Sequence, residues 1–338
     1  MAGPDNHEAH ESFSELPEDL LLTIRAFQES RAILTGIELN VFAAIGDGAS
    51  ASQVAAKIAT HPRATEMLLN ALVAMGTLAK ADGVFHTTFV TARFFAGKSP
   101  DDARAAMMHT ANLWHRWSTL TECVRSGTSA APQDAAGSRD DWTESFIAAM
   151  HRNARARAPH VVQSVGVLGL HRMLDVGGGS GAYSIAFAQA DEILRVELLD
   201  LPDVLPIAQR HIQQAGLAHR IKTRPGDLRT DPLGQGFDLI LISAICHMLG
   251  PDDNRDLLKR CHAALAPNGR VVISDFILEP DKTSPKQAAL FALNMLVGTR
   301  DGSSYSENEY AAWLREAGFQ NVNRLRLPGP AHLMLGTR

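Results

Sequence analysis

The sequence predicts an α/β protein in which a Rossmann-like, mostly parallel sheet ends in antiparallel strands and follows a mainly helical module. After Ala158, short apolar segments alternate with segments of helix length, as expected for a parallel sheet covered by helices. Leu239–Ile242 is a continuous apolar run, which is typical of a strand buried on both faces. Before residue 90, the predicted order is helix, turn, helix and hairpin.

Length and composition limit the class of protein. The 338 residues allow about two domains. A total of 32 Lys and Arg against 37 Asp and Glu gives a net charge of −5, which excludes the basic surface of a dedicated nucleic-acid binder. Three cysteines make no disulfide framework, no Lys or Arg precedes Arg25, and no apolar run reaches membrane-spanning length. We expect a cytoplasmic protein with neither a nucleic-acid nor a membrane partner.

Residues 1–105 predict a winged-helix-like module. Apolar residues recur at helical spacing, and glycines and serines supply the helix ends. Helices are predicted at Leu20–Leu34, Leu39–Ile45 and Gln53–Ala59, the last with Ser52 as its cap, and a fourth helix begins at Pro62. A hairpin is predicted at Leu78–Thr88, with its turn at Asp82-Gly83.

A winged helix raises the alternative of a DNA-binding regulator. The recognition helix would be Arg63–Thr77, whose only basic residue is Arg63, beside Glu66 and a series of apolar side chains. Groove reading needs several Lys, Arg, Asn or Gln side chains on the exposed face. The module is therefore interpreted as a packing or dimerisation domain.

Residues 106–158 predict a helical linker, which the Gly-, Ser- and Pro-containing segment Ser126–Gly137 interrupts. The linker contains Trp114, Trp117 and Trp142. Two interpretations stay open at this point. The tryptophans either pack between two domains or cover a pocket for a flat, apolar ligand.

Residues 159–338 predict the sheet domain. Its strands are expected at Met173–Val176, Val196–Leu199, Ile221–Arg224, Phe237–Ile245 and Arg270–Ile277, with a late antiparallel pair at Val322–Leu327 and His332–Leu335. Its helices are expected at Ala182–Gln189, Val204–Gln214, Asn254–Leu265, Gln287–Val297 and Ser306–Ala317.

The strongest local signal is the glycine loop Asp175–Gly181, which leaves a strand and enters a helix. Its spacing alone also fits a dinucleotide site. A carboxylate at Asp175 would repel a pyrophosphate but would suit a cationic ligand. Asp200 follows the next strand and can accept both hydroxyls of a ribose, and Asp227 follows the third strand and can accept from an adenine amino group. Three acids at three successive strand ends favour an uncharged nucleoside joined to a positive sulfonium.

With these segments and Ala244–His247 in this order, the chain resembles class I S-adenosylmethionine-dependent methyltransferases, and among them the small-molecule O-methyltransferases of the plant caffeate type and their bacterial natural-product relatives. The resemblance covers nearly the whole chain. It implies S-adenosyl-L-methionine as cofactor and a homodimer held by the N-terminal module. The cofactor residues that it implies are Asp175, Gly177, Gly179, Gly181, Asp200, Leu201, Asp227, Leu228 and Ser243.

His247 directly follows the fourth predicted strand, and Asp275 lies near the end of the neighbouring one. Ligands bind at the carboxyl ends of strands in open α/β sheets, and imidazole exchanges a proton near neutral pH. The family's catalytic histidine falls on His247 and one of its two supporting carboxylates on Asp275. A purely structural histidine is the alternative. The second supporting carboxylate falls on Ser304, Met248-Leu249 replaces an acid and a tryptophan, and Ser243 replaces a frequent lysine.

The resemblance also implies an acceptor pocket formed by Phe146, Met150, Met295 and Thr299, to which we add Trp114 and Asn294. Such residues at helical spacing also occur in ordinary cores. The Cys-His pairs at Cys246 and Cys261 are too far apart to predict a metal site, so no metal is expected. The sequence thus predicts O-methylation of a small, aromatic or polyketide-like hydroxyl compound, with His247 as general base. The alternative keeps fold and cofactor but changes the reaction to C- or N-methylation or to a hydroxylase- or pericyclase-like step.

Overall fold

The computed structural model describes residues 16–99, 101–130 and 139–338, without the side chains of 139–146, 148 and 149. The chain divides into two compact units, Met1–Met108 and His109–Arg338. Within the described ranges, no helix combines the length and the apolar character that crossing a membrane requires.

The first unit is a helical module with one small hairpin. Its core contains Val41, Phe42, Leu69, Leu72 and Phe85, which are all fully or almost fully buried. Its elements are α1 (Glu18–Arg25), α2 (Phe27–Glu38), α3 (Val41–Ile45), α4 (Ala51–Lys57), α5 (Pro62–Ala74), β1 (Leu78–Ala81), β2 (Val84–Thr87) and α6 (Phe89–Phe95).

Local geometry confirms some of the expected boundaries and corrects others. Asp82 and Gly83 have φ values of 49° and 79°, as a two-residue type I′ hairpin turn requires. The cap of α4 is Ser50 and not Ser52, because Ser50 is extended and forms a reciprocal capping box with Gln53. The first predicted helix is two helices, since the N–H of Ala26 donates to the carbonyl three residues back in a tighter turn.

The second unit begins with helices and continues as a seven-stranded sheet. Helix α9 runs through Pro159 to Val165, so the domain boundary expected there falls inside a helix and remains a prediction. Bounds of the helices are α7 (Arg104–Trp117, which starts in the first unit), α8 (Leu120–Ser126), α9 (Arg139–Val165), α10 (Ala182–Ala190), α11 (Leu205–Gln214), α12 (Pro251–Ala264), α13 (Lys286–Gly298) and α14 (Glu307–Glu316).

The sheet has the strand order β5-β4-β3-β6-β7-β9-β8, in which the first five strands are parallel and β9 and β8 are antiparallel to their neighbours. This arrangement confirms the predicted fold class. The strands are β3 (Arg172–Val176), β4 (Arg195–Asp200), β5 (Ile221–Pro225), β6 (Phe237–Ser243), β7 (Leu265–Asp275), β8 (Gln320–Leu325) and β9 (His332–Thr337).

Two strand ends differ from expectation for backbone reasons. β6 stops at Ser243 because Ala244 adopts a left-handed φ of 57°, after which Cys246–Met248 form a 3₁₀ turn. β7 starts at Leu265, five residues early, because the Pro-Asn-Gly segment forms an irregularity in the strand rather than a separate turn, with Asn268 at a φ of 65°. Both changes lie next to the parallel core, whose two faces are covered by separate apolar clusters.

Candidate active site

The candidate site lies at the carboxyl edge of the parallel strands. β3, β4, β5, β6 and β7 all point the same way, so the segments that follow them meet at one edge of the sheet. The last residues of these strands and the segments after them carry the residues that the sequence predicts, Asp175, Asp200, Asp227, His247 and Asp275.

The glycine loop depends on conformations and close contacts that other residues do not allow. Gly177, Gly179 and Gly181 have φ values of 67°, 55° and 79°. A Cβ on Gly177 would collide with Ile245, and one on Gly178 would lie 2.6 Å from a carbon of Leu198. At Gly179 nothing lies within 4 Å of that position, so a ligand can approach the backbone there.

Asp175 lies beneath this loop and not on its surface. Its carboxyl group is 1% exposed and accepts a hydrogen bond of 2.6 Å from the hydroxyl of Ser184 on α10. Burial raises the pKa of Asp175 to about 6, the Ser184 bond opposes that rise, and the charge of Asp200 adds to it. Asp175 thus lies next to the loop, as its place before the glycines predicts, but its carboxyl group is buried.

Asp200 connects the end of β4 to the glycine loop. Its Oδ2 accepts from the N–H of Gly179 at 2.7 Å, and its Oδ1 accepts from the N–H of Leu201 at 2.7 Å. Burial raises the pKa of Asp200, while these two amide donors lower it. Each carboxylate oxygen keeps a second lone pair for a ligand hydroxyl.

The other expected cofactor residues lie along the same edge. Asp227 accepts from the N–H of Arg229 at 2.8 Å and is partly buried. Leu228 is half-buried against the core, Leu201 is 50% exposed, and Ser243 is half-buried where β6 ends.

His247 and Asp275 form a buried pair. Nδ1 of His247 lies 2.7 Å from Oδ1 of Asp275, and the two residues are 6% and 1% exposed. The backbone N–H of His247 also donates to Oδ2 of Asp275 at 3.2 Å. An ionised carboxylate only accepts, so Nδ1 carries the proton and Nε2 is left as the basic nitrogen. The predicted juxtaposition of these two residues is present.

Sequence reasoning missed three residues that hold this pair. Tyr310, fully buried on α14, donates to Oδ2 of Asp275 at 3.3 Å, and the ring of Phe291 on α13 lies 4.8 Å from the imidazole of His247, edge to face. Nδ2 of Asn254 on α12 lies within 3.2 Å of the carbonyls of Cys246, Leu249 and Gly250. The sequence offered one signal for Asn254, since it is a polar residue on the face of α12 that also carries Leu257, Leu258 and Cys261.

Ser304 does not replace the second supporting carboxylate. It is 2% exposed, and its Oγ has no hydrogen-bond partner among the described residues. The adjacent N–H of Ser303 donates to the carbonyl of His247 at 2.9 Å, so this segment fixes the backbone of the histidine rather than its ring.

The predicted acceptor residues are only partly brought together. Oδ1 of Asn294 accepts from the indole N–H of Trp117 at 2.9 Å, and the hydroxyl of Thr299 donates to the carbonyl of Met295 at 2.7 Å within the end of α13. Trp114 on α7 and Met150 on α9 are half-buried. The side chain of Phe146 lies outside the described residues.

Comparison with known families identifies the class. Residues 117–320 match the O-methyltransferase domain family, and residues 21–97 match the O-methyltransferase dimerisation domain. The chain therefore belongs to the O-methyltransferase family. It is an S-adenosylmethionine-dependent O-methyltransferase.

Similarity to individual proteins extends over nearly the full length. The chain is 34% identical over 311 residues to 3-hydroxy-5-methyl-1-naphthoate 3-O-methyltransferase of Streptomyces sahachiroi, with 89% of each chain covered. It is 27% identical to the tetracenomycin polyketide synthesis 8-O-methyl transferase TcmO of Streptomyces glaucescens, over 95% of this chain and 97% of TcmO. The solved structure of PigF with SAH has a TM-score of 0.88 at 26% identity, covering 96% of this chain and all of that one.

The residues at the sheet edge fit this cofactor chemically. The open space over Gly179 admits a ligand against the backbone, and the loop lies next to two acids, the buried Asp175 and the half-buried Asp200. Two neighbouring carboxylates in a buried setting favour a positively charged ligand. A sulfonium with an ammonium group has the required charge.

Replacing Asp175 by Asn tests the balance between stability and ligand binding. Because the pKa of Asp175 is raised to about 6, its ionisation opposes folding, and stability present below its ordinary pKa is lost as the pH rises through 6. At pH 8 we expect the ligand-free Asp175→Asn variant to gain roughly 1–3 kcal/mol in free energy of unfolding. Its dissociation constant for S-adenosylmethionine, which carries the sulfonium charge, should rise at least tenfold. Urea unfolding and titration calorimetry measure these, with Asp191→Asn at the far end of α10 as control. Unchanged affinity would contradict the expectation.

Replacing Asn254 by Ala tests how the 3₁₀ turn is held. Losing the amide N–H donors, which reach the carbonyls of the turn and of Leu249 and Gly250 after it, should lower the free energy of unfolding by about 1–3 kcal/mol. It should also make His247 more reactive toward diethyl pyrocarbonate, as measured by mass spectrometry. Asn323→Ala on the exposed face of β8 is the control. Equal modification of His247 in the variant and the wild type would show that Asn254 does not hold the turn.

Proposed function

We propose that the enzyme methylates a hydroxyl group of a small aromatic or polyketide-like molecule, with His247 as general base and Asp275 as the group that orients it. The observation that carries this proposal is the 2.7 Å contact between Nδ1 of His247 and Asp275, at the sheet edge that also holds the glycine loop. Such a pair leaves Nε2 free to take a proton from an acceptor.

The proposed role of Asp275 follows from its hydrogen bonds. Its two oxygens accept from the imidazole and the backbone of His247, from the N–H of Phe276 and from the hydroxyl of Tyr310. These contacts fix both the ring orientation and the tautomer of His247. As the acceptor hydroxyl passes its proton to Nε2, the Asp275 carboxylate stabilises the imidazolium that forms.

We assign cofactor binding to the loops that follow β3, β4 and β5. Gly177, Gly179 and Gly181 allow close approach to the backbone, Asp200 accepts from the ribose hydroxyls, and Asp227 accepts from the adenine amino group. The remaining assigned residues are Asp175, Leu201, Leu228 and Ser243. When bound, S-adenosylmethionine supplies an electrophilic methyl group on a positively charged sulfur.

An aromatic surface beside His247 supports a flat acceptor. The ring of Phe291 stacks on that of Phe276, with the two centroids 4.1 Å apart, and meets the imidazole of His247 edge to face. Aromatic side chains therefore form a wall next to the proposed base. The naphthoate and polyketide compounds named for two relatives agree with this shape. We extend the proposed pocket along α13 through Asn294, Met295 and Thr299. Trp114, Phe146 and Met150 complete it.

A homodimer is proposed through the first helices. α1 buries none of its residues, and Leu20, Leu22, Ile24 and Phe27 are 45–64% exposed. An apolar series of this size on a region that matches a dimerisation domain favours contact with a second copy.

Substituting the proposed base separates the candidate reactions. With S-adenosylmethionine and hydroxylated aromatics such as 3-hydroxy-5-methyl-1-naphthoate, His247→Ala should lower methyl transfer by about 10²–10⁴-fold. Affinity for S-adenosylhomocysteine should stay within threefold. His219→Ala, at an exposed position, is the control. Product is quantified by mass spectrometry.

Undiminished turnover by His247→Ala would overturn the general-base role. A product methylated on carbon or nitrogen, or one that carries no added methyl group, would favour the alternative reaction, which the missing carboxylate at Ser304 motivates. Turnover of no hydroxylated aromatic by the wild type would instead contradict the acceptor class.

Substituting charged residues for exposed apolar residues of α1 and α2 tests the proposed dimer surface. We expect Leu22→Glu with Phe27→Glu to convert a dimer to a monomer in light scattering, without loss of the folded core, because neither residue is buried. Leu168→Glu, at a 96% exposed leucine of the second unit, should leave the dimer intact. A wild-type monomer, or a variant that stays dimeric, would contradict the proposed surface.

A further inference from the structure

A second pair of histidines lies beside the glycine loop, apart from His247. The rings of His151 on α9 and His211 on α11 stack with centroids 4.0 Å apart and an interplanar angle of 30°. Nδ1 of His151 lies 2.8 Å from Oγ of Ser180, and Nδ1 of His211 lies 3.2 Å from the carbonyl oxygen of Ser180. We call His151, His211 and Ser180 the histidine clamp.

The protonation of the clamp follows from its partners. A carbonyl oxygen only accepts, so Nδ1 of His211 carries a proton. Burial, together with the charges of the nearby His211 and Arg155, lowers the pKa of His151 to about 4. His151 is therefore neutral at pH 7, and its Nδ1 and the hydroxyl of Ser180 share one hydrogen bond. The two contacts use different atoms of Ser180 and do not compete.

Ser180 is the loop residue that side chains of the neighbouring helices can contact through a side chain of its own. Between residues 177 and 181 it is the only one with a side chain, and three of the four glycines around it have positive φ. Glycines give a loop large conformational freedom, so ordering it for a ligand carries an entropic cost. Ser180 is 5% exposed and directly precedes Gly181, the N-cap of α10.

We propose that the histidine clamp preorganises the glycine loop for cofactor binding, with His151 and His211 as positioning residues that act through Ser180. Helices α9 and α11 thereby hold both the side chain and the backbone of the one loop residue that offers a side chain. A preorganised loop loses less freedom when the cofactor binds, so the clamp raises affinity without contacting the methyl group. The inference rests on the proposed location of the cofactor at this loop.

Titration calorimetry with S-adenosylhomocysteine tests the clamp in the full-length protein. We expect His151→Leu and Ser180→Ala each to raise the dissociation constant about tenfold. Because both changes break the same contact, the double variant should bind no more than about twofold worse than Ser180→Ala alone. Additive losses in the double variant would overturn action through Ser180.

Matched substitutions separate positioning from general packing. His151→Asn keeps a polar atom near the place of Nδ1 and should restore affinity to within about threefold of the wild type. His160→Leu, on an exposed position of the same helix, should have no effect. A His151→Asn variant that binds as weakly as His151→Leu would overturn the proposal. If His151→Leu does not fold, as seen by circular dichroism, Ser180→Ala alone decides, and wild-type affinity in that variant overturns it.

The two proposals fail in different ways. Wild-type protein that does not bind S-adenosylhomocysteine would contradict the cofactor site itself. Wild-type protein that binds it, with His151→Leu binding equally well, would contradict the clamp alone.

Discussion

The candidate site depends on one buried carboxylate, that of Asp275. A carboxylate with 1% exposure is strongly unfavourable unless donors surround it. Four donors reach it, one from Phe276 directly after β7, two from His247 in the 3₁₀ turn and one from Tyr310 on α14. The need to satisfy this group therefore brings the end of a strand, a short turn and a late helix to one point. The orientation of His247 is a consequence of that arrangement.

Asp175, near the end of β3, is a buried carboxylate with few donors. It is as deeply buried as Asp275, but Ser184 is its single side-chain donor among the described residues, and burial raises its pKa to about 6. A carboxylate in this condition gains from a cation that arrives with a ligand, whereas Asp275 has its donors already within the fold. The same residue type thus leaves a charge next to the glycine loop in one place and fixes the orientation of His247, the proposed base, in the other.

The sheet, its antiparallel end and the strand-end positions of Asp200, Asp227 and His247 could be predicted, because alternating periodicity and motif order are local signals. Asn254, Tyr310 and the stacked His151 and His211 could not. They lie on helices whose periodicity indicates a buried face but not which loop that face meets. The burial of Asp175 was missed for the same reason, since the rotation of a side chain at a strand end depends on the helix packed beneath it. The functional roles of the site residues and the domain boundaries remain predictions.

The absence of a carboxylate at Ser304 changes less than the resemblance suggests. Asp275 contacts both the ring and the backbone N–H of His247, so rotation of the imidazole would have to break a bond while the backbone stays tied to the other oxygen. Phe291 packs edge-on against the ring and limits tilting. The backbone of Ser303 and the amide of Asn254 hold the turn from two further directions. One carboxylate with a fixed backbone is thus enough to orient the ring, and the unpartnered hydroxyl of Ser304 is not needed for that role.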